Sequence, residues 1–374
     1  MNFLSKLYSI CFNKALLQRQ NHKMLTKSYS TGSGLLKVTI VGAAGKVGQP
    51  LALALKQSPL IDELCLHDLK PTTALGLELN HIDTRSKVTV YSGKDNLKLA
   101  LKNTKVLAVV ASAPGADTLS FEKMWMPNSE VIKEIMTEVR QYCPKALIAI
   151  ATNPINSIMP LASEMLKKGG IFNPNGVFGV TSVDAVRANT FVANVQGLEP
   201  ECVEVPVVGG HSTETIVPLL SQAKPCADFT NSEIEDITAR IRMAHEDLIK
   251  LKPSESGALS SAFATARFIV SLIKALQGQP NVIEYAYVKS SVHPYLKYLS
   301  TPLLLGMYGV QKNLGFSKMT DYEQCMFDNA VTLIAKDIKR GEHSAGVHEP
   351  GPPCDPCTPI RRGQCPYDWC NIKN

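Results

Sequence analysis

Residues Lys37 to Gln49 constrain the fold of this chain more than any other stretch. They read Lys-Val-Thr-Ile-Val-Gly-Ala-Ala-Gly-Lys-Val-Gly-Gln. Val38-Thr39-Ile40-Val41 is short, apolar and β-branched, the composition of a strand buried on both faces. Glycines follow at 42, 45 and 48, and Pro50 to Lys56 has the pattern of a helix's opening turns. A strand handed over to a helix through spaced glycines implies a βαβ unit that cradles phosphates. Gly42 suits a sharp turn, Gly45 a close backbone approach to a pyrophosphate, and Gly48 tight packing of helix on strand. Ala43, Ala44, Lys46 and Val47 complete the loop, and the helix N-terminus offers free N–H groups and a positive dipole end. Glycines also punctuate ordinary strand-to-helix turns, and spacing alone leaves that reading open.

Asp68 narrows the choice. The next strand, Leu64-Cys65-Leu66-His67, ends on it about 20 residues past the last glycine. A carboxylate there hydrogen-bonds the ribose hydroxyls of NAD and repels the 2′-phosphate of NADP, so NAD is the expected cofactor.

Short apolar runs and helical patterns then alternate. Strands are expected at 37–42, 63–68, 88–92, 105–111 and 146–151, and helices at 46–57, 73–82, 95–102 and 121–142. That rhythm predicts a Rossmann-type, doubly wound parallel sheet with helices on both faces, followed by an α+β substrate domain. The expected divisions are a targeting segment at 1–34, a cofactor domain at 35–180, a substrate domain at 181–343 and a tail at 344–374. Ligands in such sheets bind at the carboxyl ends of the strands. Attention therefore falls on 42–48, 68, 111–116 and 152–157.

The net charge of +6 is unevenly spread. Residues 1–34 hold five basic side chains and no acid, leaving 34 basic against 33 acidic in the rest. A near-neutral body argues against a nucleic-acid partner. No uninterrupted apolar run is long enough to span a bilayer. The N-terminal stretch sets Phe3, Leu4, Leu7, Tyr8, Ile10 and Cys11 against lysines, the pattern of a mitochondrial presequence; a plain basic tail is the alternative.

Thr152-Asn153-Pro154 follows the apolar run ending at Ala151, which makes Asn153 a candidate amide contact or simply a turn residue. Further on, Thr181 or Ser182 reads as a helix N-cap. Asp184 and Arg187 lie three apart and share one helical face. They form either a local ion pair or a carboxylate that orients a base beside a guanidinium that grips a substrate carboxylate. Val205 to Val208 reads as a strand, and Gly209-Gly210 then presents His211, a base or a solvated turn residue. Residues 231–250 and 254–277 read as long helices, 300–307 as a final strand and 318–340 as a final helix.

Ser344 to Asn374 contains six prolines and four cysteines, Cys354, Cys357, Cys365 and Cys370. Such a segment has little to bury. No metal site is expected, although Cys354 and Cys357 have half of a zinc spacing. The tail's partner is not legible.

Taken together, Gly42 to Gly48, Asp68, Asn80-His-Ile82, Thr152 to Ser157, Phe178 to Thr181, Asp184 to Phe191, Gly209 to His211 and Ser300 to Gly306 resemble the mitochondrial-type, NAD-dependent malate dehydrogenases of the lactate/malate dehydrogenase superfamily. The resemblance runs from about Lys37 to Gly341. It implies hydride transfer between malate or oxaloacetate, a 2-hydroxy/2-oxo dicarboxylic acid, and NAD in a mitochondrial-matrix homodimer. His211 would take the hydroxyl proton, Asp184 would steady the imidazole, Arg187 would grip the carboxylate at the reacting end, and Asn153 would touch the substrate oxygen. The loop from Gly42 to Gly48, with Asp68, Asn128, Ala151, Thr152, Asn153 and Ser261, would line the cofactor site.

One loop departs from that pattern. Family members carry two arginines where this chain has Gly115 and Phe121, and residues 111–128 contain none. Ser112 and Ser261 stand where the family has Gly and Met. Losing a carboxylate contact costs about 1.5–3 kcal/mol. Losing a transition-state donor costs about 3–4 kcal/mol. Turnover of malate would fall by roughly four to five powers of ten unless another cation, with Lys123 nearest in sequence, fills in. The alternatives are an NAD-binding relative with altered or impaired catalysis, or a structural protein assembled through its tail.

Overall fold

The computed structural model describes residues 35–115, 120–251 and 257–347. Residues 1–34, expected as a presequence, and 348–374 of the expected tail fall outside these residues, whereas Ser344 and the buried Ala345 belong to the fold and not to the tail. The described residues from Leu36 onward belong to one compact unit.

Its first half is built on strands β1 (Lys37–Val41), β2 (Glu63–Asp68), β3 (Lys87–Ser92), β4 (Val106–Val109), β5 (Leu147–Ile150) and β6 (Val177–Val180). They pair in parallel in the order β3-β2-β1-β4-β5-β6. Helices α1 (Gly48–Lys56), α2 (Thr73–Asn80), α3 (Leu97–Leu101), α4 (Phe121–Tyr142) and α5 (Ile155–Lys168) connect them. The stretch expected as one helix at 95–102 is a 3-10 turn, Lys94–Asn96, followed by the five residues of α3.

The second half contributes α6 (Ser182–Gln196), β7 (Val207–Gly209), β8 (Ile216–Pro218), α7 (Asn231–Leu251), α8 (Ala258–Leu276), β9 (Val282–Lys289), β10 (Tyr298–Gly306), β11 (Gly309–Asn313) and α9 (Asp321–Ser344). The sheet does not stop between the halves. β6 pairs antiparallel with β9 through Gly179–Tyr287 and Val180–Ala286, and β10, β7 and β8 continue it. The strand expected to be last, β10, is followed by β11, which folds back on it across a register shift at Leu304/Leu305.

Strand alternation divides the core into two layers. In β4 and β5, Leu107, Val109, Ile148 and Ile150 face α4, α5 and α9. Val106, Ala108, Leu147 and Ala149 face the other way, towards α1 and α8. Each fully buried Leu or Ile stabilises the fold by about 1.5–3 kcal/mol. A third cluster joins α6, α7 and β7 through Ala188, Val192, Ile237, Ile241 and Val207.

Among the described residues one helix, α8, is long and apolar enough to cross a membrane by length and composition, which the unbroken-run criterion missed. Arg267 interrupts it and pairs with Glu284 at 3.3 Å, and Phe268, Ile269, Leu272 and Ile273 are fully buried against the sheet.

The N-cap expectation is corrected in part. Thr181 occupies the N-cap position of α6, but its side chain caps nothing. Its Oγ1 instead meets Ser300 Oγ at 2.8 Å, and Ser182 Oγ donates to Tyr285 O at 3.0 Å. Both hydroxyls are buried, and bonding across to β9 and β10 ties the start of α6 to the sheet.

Candidate active site

Strand order reverses between β1 and β4, and the loops leaving those strands open a crevice there. They run very close together: a Cβ on Gly42 would lie 2.5 Å from Ala111 Cα, and φ at Gly42 is +98°. A Cβ on Gly48 would lie 2.1 Å from Gly42 O, so only glycine lets α1 start directly above the strand. α1 has no side-chain cap, leaving its first N–H groups for a ligand. Lys46 and Gly45 are exposed on this turn, Ala44 and Val47 are half-buried, and Ala43 is buried beneath it. Asp68, at the end of β2, accepts from Ala44 N–H at 2.9 Å and Lys70 N–H at 3.0 Å. The putting together of bare backbone, an uncapped helix start and a fixed carboxylate fits a dinucleotide.

Asn128, buried on α4, closes the far side of the crevice. Its Oδ1 accepts from Ala113 N–H at 2.8 Å and Ser112 Oγ at 3.1 Å, and its Nδ2 donates to Asn153 O at 2.8 Å. Thr152 Oγ1 donates to Ala111 O at 2.7 Å, so the ends of β4 and β5 are tied together here. Ala151 is half-buried. The side-chain amide of Asn153 makes no hydrogen bond among the described residues.

Beside this edge, three residues converge. His211 Nδ1 lies 2.6 Å from Asp184 Oδ2. Arg187 Nη1 lies 4.0 Å from Asp184 Oδ1, an oxygen that is buried and has no hydrogen bond. Arg187 itself is 9% exposed and makes no hydrogen bond among the described residues. Burial pushes its pKa down, and Asp184 pulls it back up. A guanidinium so buried and so poorly satisfied is suited to an anion entering the cleft. Gly257, just before α8, lies beside it: a Cβ there would be 3.4 Å from Arg187 Nη2, and Ser261 in the first turn of α8 donates its N–H to Gly257 O.

The histidine is held by groups that the sequence did not single out. Asn156 Oδ1 accepts the His211 N–H at 2.8 Å, and Asn156 Nδ2 donates to Asp337 Oδ2 at 3.1 Å. Gly209, at φ +98°, and Gly210 let the turn fold onto Thr215 and Asn156, where any Cβ would collide. On the other side, Arg242 Nε donates to Thr213 O at 2.5 Å and Thr213 Oγ1 donates to Glu246 at 2.6 Å, pinning the turn to α7. The signal for Asn156 was its place three residues after Asn153, one helical turn on; nothing local marked Asp337 or Arg242.

Phe121, the first residue of α4, stacks on Trp125 and on Arg340 of α9. Gly115 has φ +77° and open space around its Cα. Lys123 is exposed.

Comparison with known families assigns both halves. Residues 36–179 match the lactate/malate dehydrogenase NAD binding domain, and residues 181–345 match the alpha/beta C-terminal domain of the same group. The chain belongs to the lactate/malate dehydrogenase family. It is of the mitochondrial malate dehydrogenase type. A relative of that name from Pongo abelii is 40% identical over 328 residues, 87% of this chain and 97% of that protein. One from Rattus norvegicus is 42% identical over 320 residues, 85% of this chain and 94% of that protein. Among solved structures, the malate dehydrogenase of Picrophilus torridus superposes with a TM-score of 0.73 at 18% identity, covering 84% of this chain and 100% of that one. That of Cryptosporidium parvum gives 0.72 at 21% identity, covering 83% and 100%. These two likenesses establish the fold. This family member is an NAD-dependent dehydrogenase, and the glycine turn with Asp68 fits that cofactor.

Proposed function

We propose that this protein interconverts malate and oxaloacetate, with His211 as acid and base. The observation that carries the reading is the shared carboxylate: Asp184 meets His211 at 2.6 Å and lies 4.0 Å from an otherwise unsatisfied Arg187. An ionised carboxylate only accepts, so Nδ1 of His211 carries its hydrogen towards Asp184 and Nε2 keeps a lone pair. Nε2 takes the proton of the malate hydroxyl as the hydroxyl carbon is oxidised. Asp184 stabilises the resulting imidazolium. Arg187 grips the carboxylate next to the reacting carbon, fixing which face it presents. Asn153 offers its free amide to the reacting oxygen. Gly42 to Gly48 and Asp68, with Asn128, Ala151, Thr152 and Ser261, would hold NAD, which when bound would supply the hydride acceptor. In the reverse direction the imidazolium returns its proton to the forming alkoxide.

We also propose a mitochondrial homodimer. The acid-free segment at 1–34 and the mitochondrial relatives support the compartment. Exposed Leu53 on α1, with Leu259 and Phe263 on the adjoining α8, supports a second copy packing there.

The test is steady-state oxidation of NADH with oxaloacetate, pyruvate and a longer apolar 2-oxo acid, using His211→Asn as the blank. Turnover of oxaloacetate at ordinary enzyme rates, lost in the variant, is expected. Rates equal to the blank on every acid would remove the assignment.

A further inference from the structure

The cleft described above offers one guanidinium, Arg187, yet malate and oxaloacetate carry two carboxylates. We infer that Arg340, on the last helix, grips the second one. The inference rests on the reaction proposed above.

Arg340 Cζ lies 4.1 Å from the centre of the Phe121 ring. The ring is itself backed by Trp125 at 6.4 Å between centroids, and Trp125 is buried. A guanidinium laid on an aromatic face is held in its plane while its in-plane N–H groups stay available. Phe121 begins α4, seven residues before Asn128, so the platform is carried by the same helix that lines the cofactor crevice.

Arg340 is also wired to the histidine. Its Nη1 lies 3.4 Å from Asp337 Oδ1. Asp337 Oδ2 accepts from Asn156, and Asn156 holds the His211 N–H. Two side chains therefore separate the guanidinium from the backbone of the proposed base. The helix that carries it sits firmly. A Cβ on Gly341, the next residue, would lie 2.2 Å from Ser157 O, so α9 and α5 are in backbone contact at this point.

The guanidinium is not saturated. A separation of 3.4 Å is long for a charge-assisted bond, which is usually about 2.7–2.9 Å. Its other partner, Glu122, is 4.0 Å away with a side chain 74% exposed. Such a surface pair holds weakly, and an entering carboxylate displaces it. Lys123, the cation nominated by sequence, is exposed and has no hydrogen bond or ion pair among the described residues. Arg340 thus combines a fixed plane, spare donors and a link to His211.

The test compares oxaloacetate with pyruvate, which lacks the distal carboxylate, for full-length wild type, Arg340→Gln and Arg340→Lys. The ratio of kcat/KM for oxaloacetate to that for pyruvate is expected to fall about a hundredfold in Arg340→Gln, chiefly through KM. Lys should recover about a tenth of the loss, because it lacks the planar fork. NADH affinity, read by nucleotide fluorescence, reports folding. An unchanged ratio with normal NADH binding overturns the role of Arg340 and leaves the reaction standing. If Arg340→Gln fails to bind NADH, Arg340→Lys decides by the same ratio: a fall of about tenfold supports the role, no change overturns it. Wild type that binds NADH but reduces neither acid overturns the reaction, and this role with it.

Discussion

His211 Nδ1 and Asp184 Oδ2 stand 2.6 Å apart, and Asp184 is 1% exposed. A carboxylate buried that deeply stays in place only because it is partnered, here by an imidazole and a guanidinium together. Removing the imidazole should therefore be felt in the chemistry before it is felt in cofactor binding. His211→Asn is expected to lower kcat by about two to four powers of ten, with NADH affinity within about threefold of wild type. Steady-state rates and a nucleotide fluorescence titration check both parts.

Arg187 calls for a different signature. It makes no hydrogen bond to described residues and faces the cleft from beside Asp184. Arg187→Gln is expected to lower kcat/KM for oxaloacetate about 10–150-fold, the equivalent of one charge-assisted contact. Arg187→Lys should recover little, since a point charge cannot make two parallel bonds. Recovery to wild-type values by lysine would contradict bidentate gripping.

Asp68 is tied to the glycine turn through Ala44 and to its own strand end through Lys70. Asp68→Ala removes both the ribose partner and the repulsion of a 2′-phosphate. The KM for NADH should rise about tenfold or more, and the preference for NADH over NADPH should narrow. Parallel assays with the two nucleotides measure both effects, and an unaltered preference would argue against this residue as the selector.

Burial pushes the Asp337 pKa up, against the opposing effects of Asn156, Arg340 and Lys336. A carboxyl raised in the fold binds its proton more tightly folded than unfolded, so stability is lost as pH rises through the folded value. Asp337→Asn escapes that loss. Its thermal midpoint relative to wild type should climb by a few degrees between about pH 4 and neutrality. Melting scans at several pH values test this, and a difference that does not vary with pH would refute it.

Most of the strands that sequence revealed are buried on both faces, although the partly exposed β3 was also legible and the buried, four-residue β6 was not. β1, β2, β4 and β5 read as plain apolar runs because helices cover them above and below. β9 escaped notice although it is the longest strand after β10. It carries Glu284, buried and held by Arg267 and Ser271, so its pattern looked polar. β8 has three residues, too few for any alternation to register. In the site, Asp184 and Arg187 were legible because helical spacing brings them together, and His211 because two glycines announce it. Asn156 and Asp337 meet across 181 residues, a distance over which local pattern says nothing. The same holds for Phe121 and Arg340. Sequence nominated Lys123 as the replacement cation by proximity along the chain, and folding brought a residue 219 positions beyond Phe121 to the ring instead.

The pairing of β6 with β9 has a mechanical meaning. Hydrogen bonds run through the sheet from one half to the other, so the cofactor edge and the catalytic residues belong to one rigid plate. A jaw opening between the halves would have to break the β6–β9 pairing. Access to the cleft, and shielding of the reacting atoms from water, must then be governed at the rim, where α4 begins and α9 ends. A substitution that stiffens or loosens that rim should alter how fast ligands come and go without changing the geometry at which His211 meets Asp184.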